Sequence, residues 1–255
     1  HYPLRRQRQM CIRDRYKTVS ITFTEGENLL DIAKKLEDNE VCTADDFLFE
    51  FNKNQGFDFE NDVDDNGDMF YRMEGYFYPD TYEFYVNDSA GNVTKKLREQ
   101  FEKKYKTVKA KIKNSGMSLN EVMTLASIVQ LEAASEDEMP KVASVFLNRL
   151  DDPDTYPMLQ SDTTTNYIKN VIKTEADNTA SIEHYTECYD TYKCKGLPAG
   201  PICNPGMAAI NAVLEPKKTD YYYFCNNLKT GETFYAKTLD EHEENLVKAG
   251  LAKKK

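Results

Sequence analysis

Tryptophan is absent, and only three of the 255 residues are histidine. Hydrolytic chemistry built on a Ser–His or Cys–His pair would therefore have to use His184 or His242. Both read as surface positions, His184 in the polar stretch TASIEHYTEC and His242 on an acidic terminal helix. The six cysteines include no C-x-x-C pair, and their spacing to the histidines is unlike a zinc site. A Gly-rich phosphate loop, a Walker-type lysine, a G-x-S-x-G elbow and an H-E-x-x-H motif are all missing, which sets aside the chemistries those motifs carry. Apolar runs such as LASIV are far too short to cross a bilayer. Positive charge is outnumbered, with 33 lysines and arginines against 43 aspartates and glutamates. A formal net charge of −10 argues against a nucleic-acid partner, because binding phosphates needs a basic surface.

What is present fits an ordinary globular chain, 40% hydrophobic and 30% charged, long enough for one good-sized domain and a smaller one. Residues 1–16 mix basic and apolar residues without periodicity and resemble a translated sequencing-adapter remnant, so they are left out of the expected fold. The alternative for them is a basic arm. Of the remaining cysteines, Cys188 and Cys194 bracket a short loop, and both a disulfide and two free thiols stay open.

The rest divides into an expected small module at 17–68 and a larger unit at 69–255, whose first part, 69–116, connects the two. Val19, Ile21 and Phe23 alternate with polar residues as in a strand. Leu29, Ile32, Ala33 and Leu36 share one face of a helix, and Thr43 caps a second. A further strand is expected to close this module. Residues 71–86 predict two strands or extended segments, and 92–116 a long charged helix ending near Gly116. Two more helices follow, over 119–133 and 141–150. The loop at 196–206 holds three prolines and three glycines and reads as rigid. A short helix, a hairpin over 220–236 and a terminal helix complete an α+β chain.

The helix over 119–133 raises the functional question. Ser118 and Glu121 have the spacing of a capping box, and Val122, Leu125, Ala126, Val129 and Ala133 trace an apolar stripe. Glu132 falls within that stripe, roughly 20° from Leu125 in projection. A carboxyl in apolar surroundings has its pKa raised and stays protonated near neutral pH, as a general acid requires. The plain alternative is that Glu132 ends the stripe, facing solvent or pairing with Arg149. Asp162, in LQSDTT, is a second acid, which could instead cap the segment after it. With 17 tyrosines and no tryptophan, tyrosines would supply any flat surface for stacking on a sugar.

Seven stretches taken in order resemble the YceG-like family of endolytic murein transglycosylases: EGYFYPDTYEF (74–84), ASIVQLEA (126–133), KVASVFLNRL (141–150), LQSDTT (159–164), YDTYKCKGLPAGPICNPG (189–206), KTDYYYF (218–224) and FYAKTLDEH (234–242). The resemblance implies a small LysM-like subdomain joined to an α+β catalytic domain, with Glu132 as the catalytic acid and base. It implies a glycan groove lined by Gln160, Asp162, Tyr189, Tyr192 and Asn204. No metal or cofactor is called for. Gln130 stands where the family often has a second glutamate, and Asp190 where it usually has asparagine. The implied partners are peptidoglycan strands and the synthases of the elongation machinery. The implied location is the outer face of the bacterial plasma membrane, reached through an anchor preceding residue 17. Rival expectations are a water-using muramidase that pairs Asp162 with Glu132, and a non-catalytic cell-wall-binding or scaffold protein.

Overall fold

The computed structural model describes residues 17–63 and 67–253, so the segment expected to be foreign, 1–16, lies outside the described residues. Helices dominate, with two small antiparallel sheets of two strands each among the described residues. The α+β class expected from the sequence is what the chain adopts.

Strand β1 (Thr18–Thr22) leads into α1 (Leu29–Asp38) and α2 (Ala44–Phe51). Asn28 caps α1 by accepting from the Leu30 and Asp31 N–H groups, and Asp31 returns a bond to the Asn28 N–H. Helix α1 then buries Leu29, Ile32, Ala33 and Leu36, as their spacing predicts. Each leucine and isoleucine among them stabilises the fold by about 1.5–3 kcal/mol. The strand that closes this layer comes from beyond residue 68. It is β2 (Thr81–Tyr85), antiparallel to β1 with Ile21 opposite Tyr82 and Thr18 opposite Tyr85.

Residues 71–86 hold this one strand rather than two. The Glu74 and Tyr76 N–H groups are spent on turn bonds to Tyr71 and Met73, and Phe77 N–H reaches the Asn204 side chain. Gly75 has φ +84, and a Cβ there would lie 2.5 Å from Pro201. Only glycine allows this close approach to the 196–206 loop.

Helix α3 (Ala90–Ser115) is capped by Ser89 and stopped by Gly116 in the left-handed conformation. For all its charge it buries Val93, Leu97, Phe101, Tyr105, Val108 and Ile112 along one face. Arg98 is buried with them, donating to Glu60 and the Phe51 carbonyl. Glu60 also accepts from the N–H groups of Gln55, Gly56 and Phe57.

Helix α4 (Leu119–Glu132) begins with the predicted Ser118–Glu121 capping box. It does not present a single stripe, because every residue from Val122 to Val129 is buried. Helices α5 (Met139–Asp151) and α8 (Met207–Leu214) pack against it, and the 196–206 loop lies along it. Its polar residues read that loop. Ser127 Oγ accepts from Ile202 N–H at 3.0 Å, and Gln130 Oε1 from Gly206 N–H at 3.0 Å.

Between these helices, α6 (Asp162–Tyr167) runs through a π-turn at Ile168–Ile172 towards α7 (Thr179–Tyr189). The predicted hairpin is β3 (Tyr223–Asn226) with β4 (Thr233–Ala236), and α9 (Leu239–Lys248) folds back on it. Cys42, Cys188, Cys194, Cys203 and Cys225 are free thiols. Among the described residues no helix is long and apolar enough to cross a membrane.

Candidate active site

Glu132 is the last residue of α4. Ala133 turns to extended backbone, and Asn226 Nδ2 of β3 donates to the Glu132 carbonyl at 3.0 Å. The carboxyl therefore leaves the core at a fixed point. It enters a cleft of 530 Å³ walled by Phe146 and Arg149 of α5, the Leu159–Gln160 segment, Tyr192, strand β3 and the inner side of α9.

Its immediate partners are not the apolar stripe. Ser161 Oγ donates to Glu132 Oε1 at 2.6 Å and also bonds Thr163 Oγ1 at 2.6 Å. Burial raises the carboxyl above the ordinary carboxylate range. The hydroxyls of Ser161 and Thr163 and the Thr163 N–H pull it back, while the charge of Asp162 adds to the rise. The net shift is upward. A carboxyl raised in this way keeps its proton to higher pH than an ordinary one, and with donors in place for its charged form it can both give a proton and take one back.

Arg149 is not its partner. Arg149 donates to the carbonyls of Tyr222 and Leu159 at 2.7 Å each, beside the rings of Tyr156 and Tyr223. It pins α5 to the cleft wall. Gln130, bonded to Gly206, braces the loop and offers no second acid.

Three of the five expected lining residues reach the cleft. Gln160 does so with φ +55, a left-handed conformation that costs a non-glycine residue roughly 1–2 kcal/mol. Asp162 is the first residue of α6, not its cap, and accepts from the Tyr192 hydroxyl at 2.7 Å. Tyr192 is 43% exposed, as a contact surface must be.

Tyr189 and Asn204, expected in the groove, do not reach it. Tyr189 is fully buried, stacked on Tyr167 with its hydroxyl accepting from Phe70 N–H at 3.3 Å. Asn204 is also fully buried. Its side chain accepts from Phe77 N–H at 3.1 Å and donates to the Glu27 carbonyl at 2.9 Å and to Glu74 at 3.2 Å. Both its N–H donors and its carbonyl oxygen are engaged inside the protein. Asp190 is buried too, and its oxygens accept from Tyr192 N–H and Lys193 Nζ, so the acceptor-only side chain suits its place.

Sequence reasoning passed over Ser161, Thr163 and Tyr223, and read His242, which lines the cleft, as a surface residue. The capping signal of the 159–164 segment drew attention to its acid and away from the hydroxyls beside it. His242 is half-buried, stacked on Tyr223 at 5.2 Å, and its pKa is lowered by burial and by Arg149. No local signal could have found it, because only the fold-back of α9 brings it to the cleft. A larger hollow of 810 Å³ lies over the first module, lined by Glu37, Glu40, Asp46, Glu50 and Asp88.

The sequence pattern of the YceG-like family matches residues 5–248. A protein of Bacillus subtilis (strain 168) named endolytic murein transglycosylase is 34% identical over 235 residues, which is 88% of this chain and 63% of that protein. One of the same name from Streptococcus pneumoniae serotype 2 (strain D39 / NCTC 7466) is 29% identical over 182 residues, 69% of this chain and 32% of the relative. The chain thus spans less than two thirds of either. A crystal structure of a putative YceG-like protein from Listeria monocytogenes superposes with a TM-score of 0.74 at 29% identity, covering 89% of this chain and 75% of that one. With the family pattern running nearly end to end and the same fold in a solved member, this chain belongs to the YceG-like family.

Proposed function

We propose that the chain is a lytic endotransglycosylase of peptidoglycan, cutting the bond between N-acetylmuramic acid and N-acetylglucosamine within glycan strands. The observation that carries this reading is the Glu132 carboxyl, raised by burial at a cleft and held by Ser161. Protonated Glu132 gives its proton to the glycosidic oxygen as the bond to C1 breaks, through an oxocarbenium-like state. The resulting carboxylate takes the proton of the muramyl C6 hydroxyl as that oxygen bonds C1. This closes a 1,6-anhydro ring and restores the acid. The Ser161 and Thr163 donors stabilise the carboxylate between the two steps. Because the second nucleophile is part of the substrate, ring closure has the advantage of an intramolecular reaction, and one carboxyl serves both steps.

Gln160, Asp162 and Tyr192 would contact the sugars, with Tyr192 offering its ring face. The names of the relatives support the substrate class. On this reading the strand–helix–helix–strand layer is a LysM-like glycan-holding subdomain. The protein would work at the outer face of the bacterial plasma membrane through an anchor, alongside peptidoglycan synthases.

Asp162 lines the same cleft, which favours one alternative, a hydrolase that activates water. Mass spectrometry of purified peptidoglycan treated with the wild type and with Glu132→Gln separates the readings. Internal cuts ending in 1,6-anhydromuramic acid, lost in the variant, are expected. Reducing muramyl ends would establish hydrolysis instead. Intact glycan from a folded wild type would leave a binding protein.

A further inference from the structure

None of Asp68, His184 and Cys188 lines the cleft, yet the fold gathers them. His184 and Cys188 stand four residues apart on α7 and so lie one above the other on the same helical face. Asp68 comes from a segment distant in sequence. His184 Nε2 lies 3.5 Å from Asp68 Oδ1 and 3.9 Å from Cys188 Sγ, and the three donor atoms all lie within 4.8 Å of one another. In a tetrahedral zinc site, bond lengths of about 2.0–2.3 Å place neighbouring donors roughly 3.3–3.6 Å apart. The two edges that meet at His184 are within a few tenths of an ångström of that.

The backbones carrying these donors are fixed from both sides. Phe70, two residues past Asp68, gives its N–H to Tyr189 at the end of α7 and packs its ring edge-on against Tyr185 at 5.1 Å. The Cys188 carbonyl accepts from Ala199 N–H at 3.0 Å. Tyr185 also packs against His184, at 4.9 Å. The donor set is therefore held together by neighbours that are not themselves ligands, as a preorganised site requires.

We propose that Asp68, His184 and Cys188 form a three-ligand site for a divalent cation of the zinc type, with water in the fourth position. Mixed nitrogen, sulfur and oxygen donors select zinc over magnesium or calcium, which prefer oxygen alone. Binding releases the Cys188 proton and forms a sulfur–metal bond. The thiolate and the Asp68 carboxylate then neutralise the two positive charges while the imidazole binds uncharged. The site clamps the chain ahead of Phe70 to α7, where the sequence spacing alone gave no sign of it. It is independent of the chemistry proposed for the cleft.

The test is cobalt titration of the full chain under reducing conditions, with zinc competition, followed by melting curves with and without zinc chloride. One equivalent of cobalt should give the near-ultraviolet band of a thiolate–cobalt bond and the visible bands of a tetrahedral site, both bleached by zinc. Zinc should raise the melting temperature. Cys188→Ser should abolish the thiolate band, and His184→Ala should weaken binding at least tenfold, with both variants keeping the wild-type melting temperature in EDTA. Cys194→Ser should bind as the wild type does. Absence of the band in the wild type, its survival in Cys188→Ser, or its loss in Cys194→Ser would each overturn the site.

Discussion

Ser161→Ala tests the electrostatic account of Glu132 most directly. The Ser161 hydroxyl is 2.6 Å from Glu132 Oε1, and it can only favour the charged carboxylate by donating to it. A hydrogen bond to a charged group contributes about 1.5–3 kcal/mol, and 1.36 kcal/mol corresponds to one pKa unit. Thr163 still supplies a hydroxyl and an N–H in the variant, so the lower end of that range applies. The Glu132 pKa should therefore rise by about one unit. On the proposed mechanism the first step needs protonated Glu132, so activity should fall as pH rises through its pKa. The alkaline limb of kcat/KM should accordingly move about one unit higher in Ser161→Ala, with a lower plateau because a weaker acid gives up its proton less readily. Carbon-13 NMR of the labelled Glu132 carboxyl reads the same shift without substrate. A folded variant whose alkaline limb and carboxyl titration both match the wild type would refute this reasoning. A downward shift would refute it as well.

Glu74 is fully buried among the Leu29 N–H, the Tyr167 hydroxyl and Asn204, and burial pushes its pKa up to about 8. Between the ordinary carboxylate value and 8 the folded state holds a proton the unfolded state has lost. Stability from this group is thus complete in acid and falls by about 1.4 kcal/mol per pH unit until pH passes 8. Urea denaturation at several pH values should show that slope in the wild type and lose it in Glu74→Gln, which can keep the same bonds. Arg98→Met strands the buried Glu60 charge and should cost about 3–5 kcal/mol, read as a fall in the denaturation midpoint; a cost below 1 kcal/mol would show the pair to be idle. Tyr192→Phe removes only the bond to Asp162 at an exposed site. It should change stability by less than about 0.5 kcal/mol while raising KM for glycan, and an unchanged KM would take Tyr192 out of the contact surface.

Where the sequence was legible, one local rule decided the outcome. The Ser118–Glu121 box started α4, Gly116 stopped α3, and the segment over 220–236 that read as a hairpin is β3 with β4. Where it was not, contacts between distant residues decided. The run of buried residues in α4 is set by α5, α8 and the 196–206 loop closing round it, which a helical projection cannot show. Glu132 was found by its place on an apolar stripe, yet its pKa is governed by burial at the end of the helix and by the Ser161–Thr163 pair. Tyr189 and Asn204 were assigned by resemblance to the groove. A tyrosine or asparagine in a family motif has the same signature whether it meets substrate or holds the wall behind it, and here both are walled in.

That wall explains why these two residues matter to the cleft without lining it. Asn204 bonds the Glu27 carbonyl just before α1, the Phe77 backbone, and Glu74. Glu74 in turn holds the first N–H of α1 and the hydroxyl of Tyr167. Tyr167 ends α6, the helix whose cap residue Ser161 and second residue Thr163 hold the Glu132 carboxyl. Buried polar contacts thus run from the first module to Tyr167, and the backbone of α6 alone connects Tyr167 to the residues beside Glu132. Groups in such a set are costly to leave unpaired, so each fixes the placement of the next. The segment that carries Ser161 and Thr163 is thereby tied through Tyr167 and Glu74 to the start of α1, so the seat of the Glu132 carboxyl is built on the packing of the strand–helix–helix–strand layer against the larger unit.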